Sequence, residues 1–99
     1  MRVEFADDGL RRLYEEPAFH DPKLGPDVTK QFRKKVNFLI AAHDERDLRN
    51  YKALHFEKLA GSRTGQSSIR LNDQWRLILR IKEDEQGRLI VVVEIVDYH

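Results

Sequence analysis

The stretch that decides the fold is SSIRLNDQWRLILRI, residues 67–81, in which apolar and polar side chains alternate on both sides of Asn72-Asp73. An alternation with a period of two is typical of β-strands that have one buried face. Asn and Asp are common turn residues because their side chains bond to nearby backbone groups. The stretch therefore predicts an antiparallel hairpin with one apolar face.

Side-chain parity predicts the register of this hairpin. A three-residue loop at 72–74 places Ile69 opposite Leu77 on the apolar face and Arg70 opposite Arg76 on the other. A two-residue loop would mix the two faces, because a slip by one residue reverses every side chain. We therefore expect the three-residue loop.

A third strand is predicted from the nearly continuous apolar run 89–96, which follows turn residues 84–87. The same parity test favours an odd loop, which pairs Leu79 with Val91 and Leu77 with Val93. One face of the sheet is then apolar, with Trp75 in the core. The other face is expected to carry Arg70, Arg76, Arg80, Glu94 (opposite Arg76) and Tyr98, while Asp97 points away.

The first half of the chain predicts one strand and two helices. Residues 2–5 read as a strand, and Asp7 or Asp8 is placed to cap a short helix. A longer helix is expected from an N-cap at Asp27 to about His43, because its apolar residues recur at helical spacing. The sequence thus predicts one α+β domain of 99 residues, ordered β-α-α-β-β-β, with a mainly antiparallel sheet and two helices on one face.

Composition narrows the class of protein. The chain has no cysteine, which fits a reducing compartment, and no apolar run long enough to span a bilayer. Its first residues lack the apolar segment of a secretory signal. We expect a soluble, cytoplasmic protein with no membrane partner.

Charge is distributed unevenly along the chain. Residues 49–82 carry eight basic and two acidic residues, whereas 83–99 carry one basic and five acidic residues. Such an excess favours a surface that faces a polyanion, although an ordinary solvated surface explains charge alone equally well. The run Arg33-Lys34-Lys35 is interpreted as a solvated helix face.

Two arginines directly opposite on a sheet repel each other. Glu94 or a bound phosphate would relieve that repulsion between Arg70 and Arg76. Two readings of this face remain open: a solvated surface with one ion-pair cluster, and a phosphate-binding surface.

Familiar catalytic motifs are absent from the sequence, and the four histidines do not have metal-ligand spacing. We expect no metal and no cofactor. Cleavage of RNA by its own 2′-hydroxyl needs proton transfer, which suits histidine, and stabilisation of phosphate charge, which suits arginine. The candidates for such chemistry are His55, Lys58, Arg63, Arg70, Arg76, Arg80, Asp97, Tyr98 and His99.

Residues 54–77 and 93–99 closely resemble the HigB, or plasmid-maintenance killer, branch of RelE-type toxins. The shared pattern is a His, then Leu-x-Gly-x-Arg-x-Gly, then Ser-Ile-Arg-x-Asn-x-x-Trp-Arg, and finally Asp-Tyr-His. Residues 1–50 match only in the order of elements.

The resemblance implies a type II toxin-antitoxin toxin that inhibits translation as an mRNA interferase, a ribosome-dependent endoribonuclease acting in the 30S decoding site. It also implies a cognate antitoxin with a helix-turn-helix domain. The toxin would then contact DNA only indirectly, through its complex with the antitoxin. In that family His55, Asp97, Tyr98 and His99 match the catalytic residues. The contacts with phosphates and rRNA would be made by Lys58, Arg63, Arg70, Arg76 and Arg80.

Two positions depart from the family pattern, Ala60 where many relatives have Lys and Ser67 where many have an aromatic or His. They leave room for a catalytically weakened member. A second alternative is a non-enzymatic, ParE-like inhibitor of DNA gyrase, which would not need the histidines.

Overall fold

A computed structural model describes residues 1–98. These residues form five strands, three α-helices and two 3-10 turns. The strands are β1 (Arg2–Phe5), β2 (Glu57–Lys58), β3 (Ser67–Arg70), β4 (Trp75–Asp84) and β5 (Gly87–Asp97). The helices are α1 (Asp8–Glu15), α2 (Gly25–Ala41) and α3 (Glu45–Asn50), and the 3-10 turns are Lys52–Leu54 and Gly61–Arg63.

All five strands belong to one sheet, in the order β1-β5-β4-β3-β2. Strand β1 runs parallel to β5, and every other neighbouring pair is antiparallel. The α+β class and the mainly antiparallel sheet are confirmed. The third helix and the two-residue strand β2 were not predicted.

The predicted start of α1 is confirmed, whereas the predicted start of α2 is wrong. Asp7 caps α1, its carboxylate accepting from the Leu10 N–H at 2.8 Å. The predicted N-cap at Asp27 is wrong, because α2 begins at Gly25 and Asp27 lies in its first turn. Pro26 explains the earlier start, since its fixed φ suits the first turn and its missing N–H has no partner to lose there.

The core lies between the helices and one face of the sheet. Phe32, Val36 and Leu39 of α2 are fully buried, as are Leu77 and Leu79 of β4. Trp75 is partly buried and packs against the same core, as predicted. No helix within residues 1–98 is long and apolar enough to cross a membrane.

The register predicted for the β3–β4 hairpin is confirmed. Ile69 pairs with Leu77 and Arg70 with Arg76. The turn is held by Asn72, whose side-chain oxygen accepts from the backbone N–H of both Gln74 and Trp75, at 2.8 and 2.7 Å.

The register predicted for the β4–β5 hairpin is wrong. Leu79 pairs with Val92 instead of Val91, and Leu77 pairs with Ile95 instead of Val93. The turn is short, because Asp84 already pairs with Gly87. A β-bulge between Ile78 and Leu79 then adds one further residue to the β5 side.

The bulge also corrects the position predicted for Glu94. This residue lies opposite Ile78, and Val96 takes the place opposite Arg76. Because the short turn and the bulge each shift the pairing by one residue, the alternation near the end of β5 returns to its predicted parity. Glu94 therefore stays on the arginine face.

Candidate active site

A small cleft of about 200 Å³ opens at the end of the β3–β4 hairpin. Its walls come from the 3-10 turn before β2, from the hairpin and from the residue that follows β5. The lining residues are His55, Arg70, Asn72, Asp73, Arg76 and Tyr98. Four residues predicted from the sequence, His55, Arg70, Arg76 and Tyr98, therefore meet in one place.

Arg76 is held in position by the backbone and by a buried hydroxyl. Its Nε donates to Ser68 Oγ at 2.9 Å, and its Nη2 donates to the carbonyl oxygen of His55 at 2.6 Å. Ser68 itself is fully buried on β3. The guanidinium thus ties the segment that carries His55 to the sheet.

His55 has an unusual backbone conformation. It lies in the left-handed region, with φ 47° and ψ 50°, directly after the 3-10 turn Lys52–Leu54. Its N–H donates to the carbonyl of Lys52 at 3.0 Å. Non-glycine residues in this region store roughly 1–3 kcal/mol of strain and persist where the surroundings hold them. Here the Lys52 carbonyl and Arg76 supply that hold.

The repulsion expected between Arg70 and Arg76 is relieved by separate partners. Arg70 forms an ion pair with Asp73 in the hairpin turn, while Arg76 has the contacts described above. Glu94 does not serve this purpose, because it forms an ion pair with Arg63 at 2.5 Å. The prediction that Glu94 lies opposite Arg76 is wrong for the same reason as the hairpin register.

Tyr98 closes the cleft on the side of β5. Its ring lies against Arg76, with the guanidinium carbon 5.1 Å from the ring centre. Its hydroxyl donates to Glu57 Oε1 at 2.7 Å, and this hydrogen bond, followed by the charge of Glu57, raises the pKa of the Tyr98 phenol. Tyr98 therefore faces the arginines, as its parity predicts, and stays protonated at neutral pH.

Asp97 lies just outside this cleft. It pairs with Trp75 in the sheet, and its Oδ2 accepts from Gln74 Nε2 at 2.9 Å. It borders a second depression that also includes Arg63 and shares Tyr98 as a wall. His99 lies outside the described residues.

The other predicted phosphate contacts do not line the cleft. Lys58 lies exposed on the edge strand β2. Arg63 is paired with Glu94, and Arg80 lies further along β4, opposite Val91. A group of three or more His, Asp or Glu side chains able to hold a metal does not occur within residues 1–98.

Four residues of the site were not predicted. In the sequence, Asn72 and Asp73 indicate only a turn and Ser68 only a polar strand position, while Glu57 falls in the segment of family resemblance without a role of its own. Side-chain parity could have identified Ser68 as a neighbour of the arginines, because Ser68 lies on the same face of the sheet as Arg70 and Arg76. The pattern had no comparable signal for Glu57, because a two-residue strand is too short to show a period.

Comparison with known proteins defines the class. A family model described as the RelE-like toxin of the type II toxin-antitoxin system HigB matches residues 3–99. Toxin HigB-1 of Vibrio cholerae serotype O1 is 38% identical over 81 residues, which cover 81% of this chain and 83% of that protein.

Two solved toxin structures share the fold at low sequence identity. YafQ from E. coli strain BL21(DE3) has a TM-score of 0.63 at 13% identity and covers 98% of this chain and 93% of its own. A YoeB/ParE toxin from Agrobacterium tumefaciens has a TM-score of 0.58 at 17% identity, with full coverage of both chains (100% and 100%).

The fold is thus that of the RelE-like toxins. The chain belongs to the HigB-type family of toxins of type II toxin-antitoxin systems, and the resemblance noted in its sequence is confirmed.

Proposed function

We propose that this toxin is a ribosome-dependent mRNA endoribonuclease whose reaction takes place in the cleft between β3, β4 and Tyr98. The observation that carries the proposal is the meeting of His55, Arg70, Arg76 and Tyr98 around one cleft. A proton-transfer group and two guanidinium cations suit phosphodiester cleavage by a neighbouring hydroxyl, and the Tyr98 ring adds a surface on which a base can stack.

The two arginines stabilise the charge that develops on the phosphorane. Arg76 is preorganised by Ser68 and by the His55 carbonyl, so little reorganisation accompanies the reaction. Arg70 faces it across the hairpin and supplies a second guanidinium. Tyr98 positions the substrate by hydrogen bonding or by stacking on a base.

Proton transfer is assigned to the two histidines. One removes the proton from the 2′-hydroxyl and the other protonates the leaving 5′-oxygen, with His55 and His99 as the pair and Asp97 as the carboxylate that orients an imidazole. The products are a 2′,3′-cyclic phosphate and a 5′-hydroxyl end. Neither a metal nor a cofactor takes part in this scheme.

The partners follow from the family. We assign a cognate antitoxin with a helix-turn-helix domain, the 30S decoding site with its rRNA, and mRNA in the cytoplasm. Contact with DNA is indirect, through the antitoxin complex. Three basic residues lie outside the cleft, Lys58 on β2, Arg63 in the 3-10 turn Gly61–Arg63 and Arg80 on β4. They are assigned to the surrounding rRNA or mRNA phosphates.

The test is a double variant, His55→Asn with His99→Gln. Asn is chosen at position 55 because it tolerates the left-handed conformation better than Ala. We expect cleavage of ribosome-bound mRNA to fall about 100-fold or more, the usual loss when general acid–base groups are removed. The readout is primer extension on mRNA programmed into purified ribosomes.

A matched control replaces two histidines away from the cleft, His20→Asn with His43→Asn, and should cleave at the wild-type rate. Wild-type cleavage by the His55/His99 double variant would contradict the proposal. Toxicity accompanied by gyrase-linked DNA breaks and intact mRNA would instead support the ParE-like alternative.

A further inference from the structure

Strand β1 forms one edge of the sheet. Within residues 1–98 its only strand neighbour is β5, to which it runs parallel. Phe5 pairs with Val92, and the N–H of the next residue, Ala6, donates to the Val92 carbonyl at 2.8 Å. Because the backbone groups of successive residues point to opposite sides of a strand, those of Val3 and Phe5 point away from β5. The edge therefore presents two N–H and two C=O groups to a further strand.

A groove of about 650 Å³ runs beside this edge, on the helix face of the sheet. Its apolar lining comes from Val3 and Phe5 of the strand, Tyr14 of α1 and Ile40 of α2. Val3 and Phe5 are partly buried against the core, whereas Ile40 is 45% exposed. A strand added to β1 would place every second side chain over this groove, because side chains alternate between the two faces. The groove thus suits a strand with apolar residues at alternate positions.

The groove has an acidic surround. Four carboxylates are among its lining residues, those of Glu4, Asp7, Asp8 and Glu15. Arg11 is the one basic side chain among the described lining residues, and it forms ion pairs with Asp8 at 2.7 Å and with Glu15 at 3.0 Å. The lining therefore carries an excess of negative charge. Such a surface repels RNA phosphates and attracts lysine or arginine side chains.

This groove is separate from the candidate active site. Strand β1 ends the sheet on one side, whereas β3 and β2 end it on the other. The cleft opens at the β3–β4 hairpin, and its described lining has no residue in common with that of the groove. Arginines line the cleft, whereas carboxylates surround the groove. The groove is therefore suited to a ligand other than the RNA.

We propose that the β1 edge binds an extended segment of a partner protein in which apolar and basic residues alternate. The segment adds a sixth strand to the five-stranded sheet through the outward backbone groups of Val3 and Phe5. Its apolar side chains enter the groove beside Ile40, and its basic side chains lie on the opposite face, which carries the exposed Glu4. The inference goes beyond the proposed function, because it concerns a protein ligand and does not depend on RNA cleavage.

The probe is a synthetic peptide of alternating lysine and valine, acetyl-KVKVKVK-amide, and its control is the charge-reversed acetyl-EVEVEVE-amide. Binding to the isotope-labelled full chain is followed by NMR titration and by amide hydrogen exchange. We expect the lysine peptide to bind at least about tenfold more tightly than the glutamate peptide. On binding, exchange of the Val3 and Phe5 amides should slow, while that of Ala6, already bonded to β5, should change little.

One variant tests the backbone edge. Val3→Pro removes an outward N–H and should weaken binding of the lysine peptide about tenfold, the upper scale of one hydrogen bond. Proline is tolerated on an edge strand where the N–H faces solvent, so β1 should keep its bonds to β5. Unchanged exchange of the Ala6 amide in the free variant checks that it does.

A second variant tests the groove without altering the strand. Ile40→Lys places a positive charge on the apolar wall, on an exposed position of α2, and should also weaken binding of the lysine peptide about tenfold. Ala41→Lys is the matched control, because it adds the same charge at the next exposed position of the same helix, outside the groove lining. We expect it to change affinity less than about twofold.

Four results would overturn the proposal. They are the absence of binding by the lysine peptide, equal binding by the glutamate peptide, unchanged exchange of the Val3 and Phe5 amides in the complex, and wild-type affinity in both Val3→Pro and Ile40→Lys. Each would show that the edge, the groove or the acidic surround does not select such a segment.

Two other occupants would give distinct results. Protection of Val3 and Phe5 without peptide, together with a dimer in sedimentation, would identify a second copy of this chain as the ligand. Displacement of the lysine peptide by a 2′-O-methyl RNA trinucleotide would place the peptide in the RNA site. Either result would overturn the proposal, whereas the test of His55 and His99 bears on cleavage alone.

Discussion

Among the single residues, Tyr98 has the contact with the clearest chemical consequence. Its hydroxyl donates to Glu57, and Arg76 lies against its ring. The hydrogen bond favours the neutral phenol, whereas Arg76 lowers its pKa. Because Glu57 is the larger influence, the phenol remains a donor over the whole physiological range.

We predict that Glu57→Gln lowers the pKa of Tyr98, because the carboxylate that favours the neutral phenol is lost. The measurement is an alkaline titration followed by the ultraviolet absorbance of tyrosinate. Tyr98→Phe serves as the control, since the step that disappears in this variant belongs to Tyr98. An unchanged titration of Tyr98 in Glu57→Gln would show that the hydrogen bond does not form in solution.

The same contact has a pH-dependent effect on stability. The folded-state pKa of Tyr98 is raised above its unfolded value, so its contribution is fully present below the ordinary value near 10 and is lost as pH rises through the folded pKa. The difference in unfolding free energy between wild type and Glu57→Gln should therefore shrink at strongly alkaline pH.

At the level of elements, two glycines lie in backbone conformations that should respond in opposite ways to an added side chain. Gly87 closes the β4–β5 turn with φ +106°, a conformation that L side chains rarely adopt, and nothing within 4 Å would obstruct an added Cβ. Gly9 lies in helix α1, where glycine is a poor helix former. An added Cβ there meets Asp7 Oδ1 at 3.4 Å, an ordinary contact.

We predict opposite effects of the same substitution at these two positions. Gly87→Ala should destabilise the protein by about 1 kcal/mol or more, purely through backbone strain. Gly9→Ala should stabilise it by about 0.5 kcal/mol through helix propensity. Urea unfolding of the two variants beside wild type measures both, and equal signs would contradict the backbone conformations described for them.

The elements also show where sequence patterns succeed. The start of α1, predicted with a cap at Asp7 or Asp8, and the β3–β4 register depend on neighbouring residues alone, so a local pattern is sufficient to predict them. The β4–β5 register failed because parity counting assumes an unbroken ladder, and the bulge between Ile78 and Leu79 breaks it. Strand β2 was missed because two residues show no period, and Glu57 was missed with it.

For the whole molecule, the core and the candidate site are largely separate. The core lies between the helices and the apolar face of the sheet, whereas the cleft opens on the arginine face and at the end of the hairpin. The contacts of Asp97 and Tyr98 with Gln74 and Glu57 are side-chain and backbone hydrogen bonds near the surface. Loss of these contacts should leave the core intact.

We predict that a chain shortened by residues 97–99 folds but does not cleave. Its unfolding free energy should fall by about 1–3 kcal/mol, the sum expected for a few exposed hydrogen bonds, and ribosome-dependent mRNA cleavage should be lost. Circular dichroism with urea unfolding measures the first, and primer extension the second. A shortened chain that is unfolded, or one that cleaves at the wild-type rate, would contradict the separation of core and site.

The charge pattern indicated a basic excess in residues 49–82, and folding distributes those charges unevenly. Arg70 and Arg76 meet in the cleft, yet Arg63 is neutralised by Glu94 and, outside that segment, Lys35 is buried. Such outcomes depend on which side chains meet after folding, and residues 31 positions apart, as Arg63 and Glu94 are, carry no local sign of that meeting.

The position of β5 in the sheet affects the order in which the strands can pair during synthesis. This strand follows the other described strands and helices along the chain, yet it lies between β1 and β4, pairing Arg2 with Leu89 and Trp75 with Asp97. During synthesis β1 has no strand to pair with until β5 has been made, whereas the helices and the β3–β4 hairpin can form earlier. The cleft acquires its Tyr98 wall only when this strand is in place, so an incomplete nascent chain has the hairpin arginines but not the finished site.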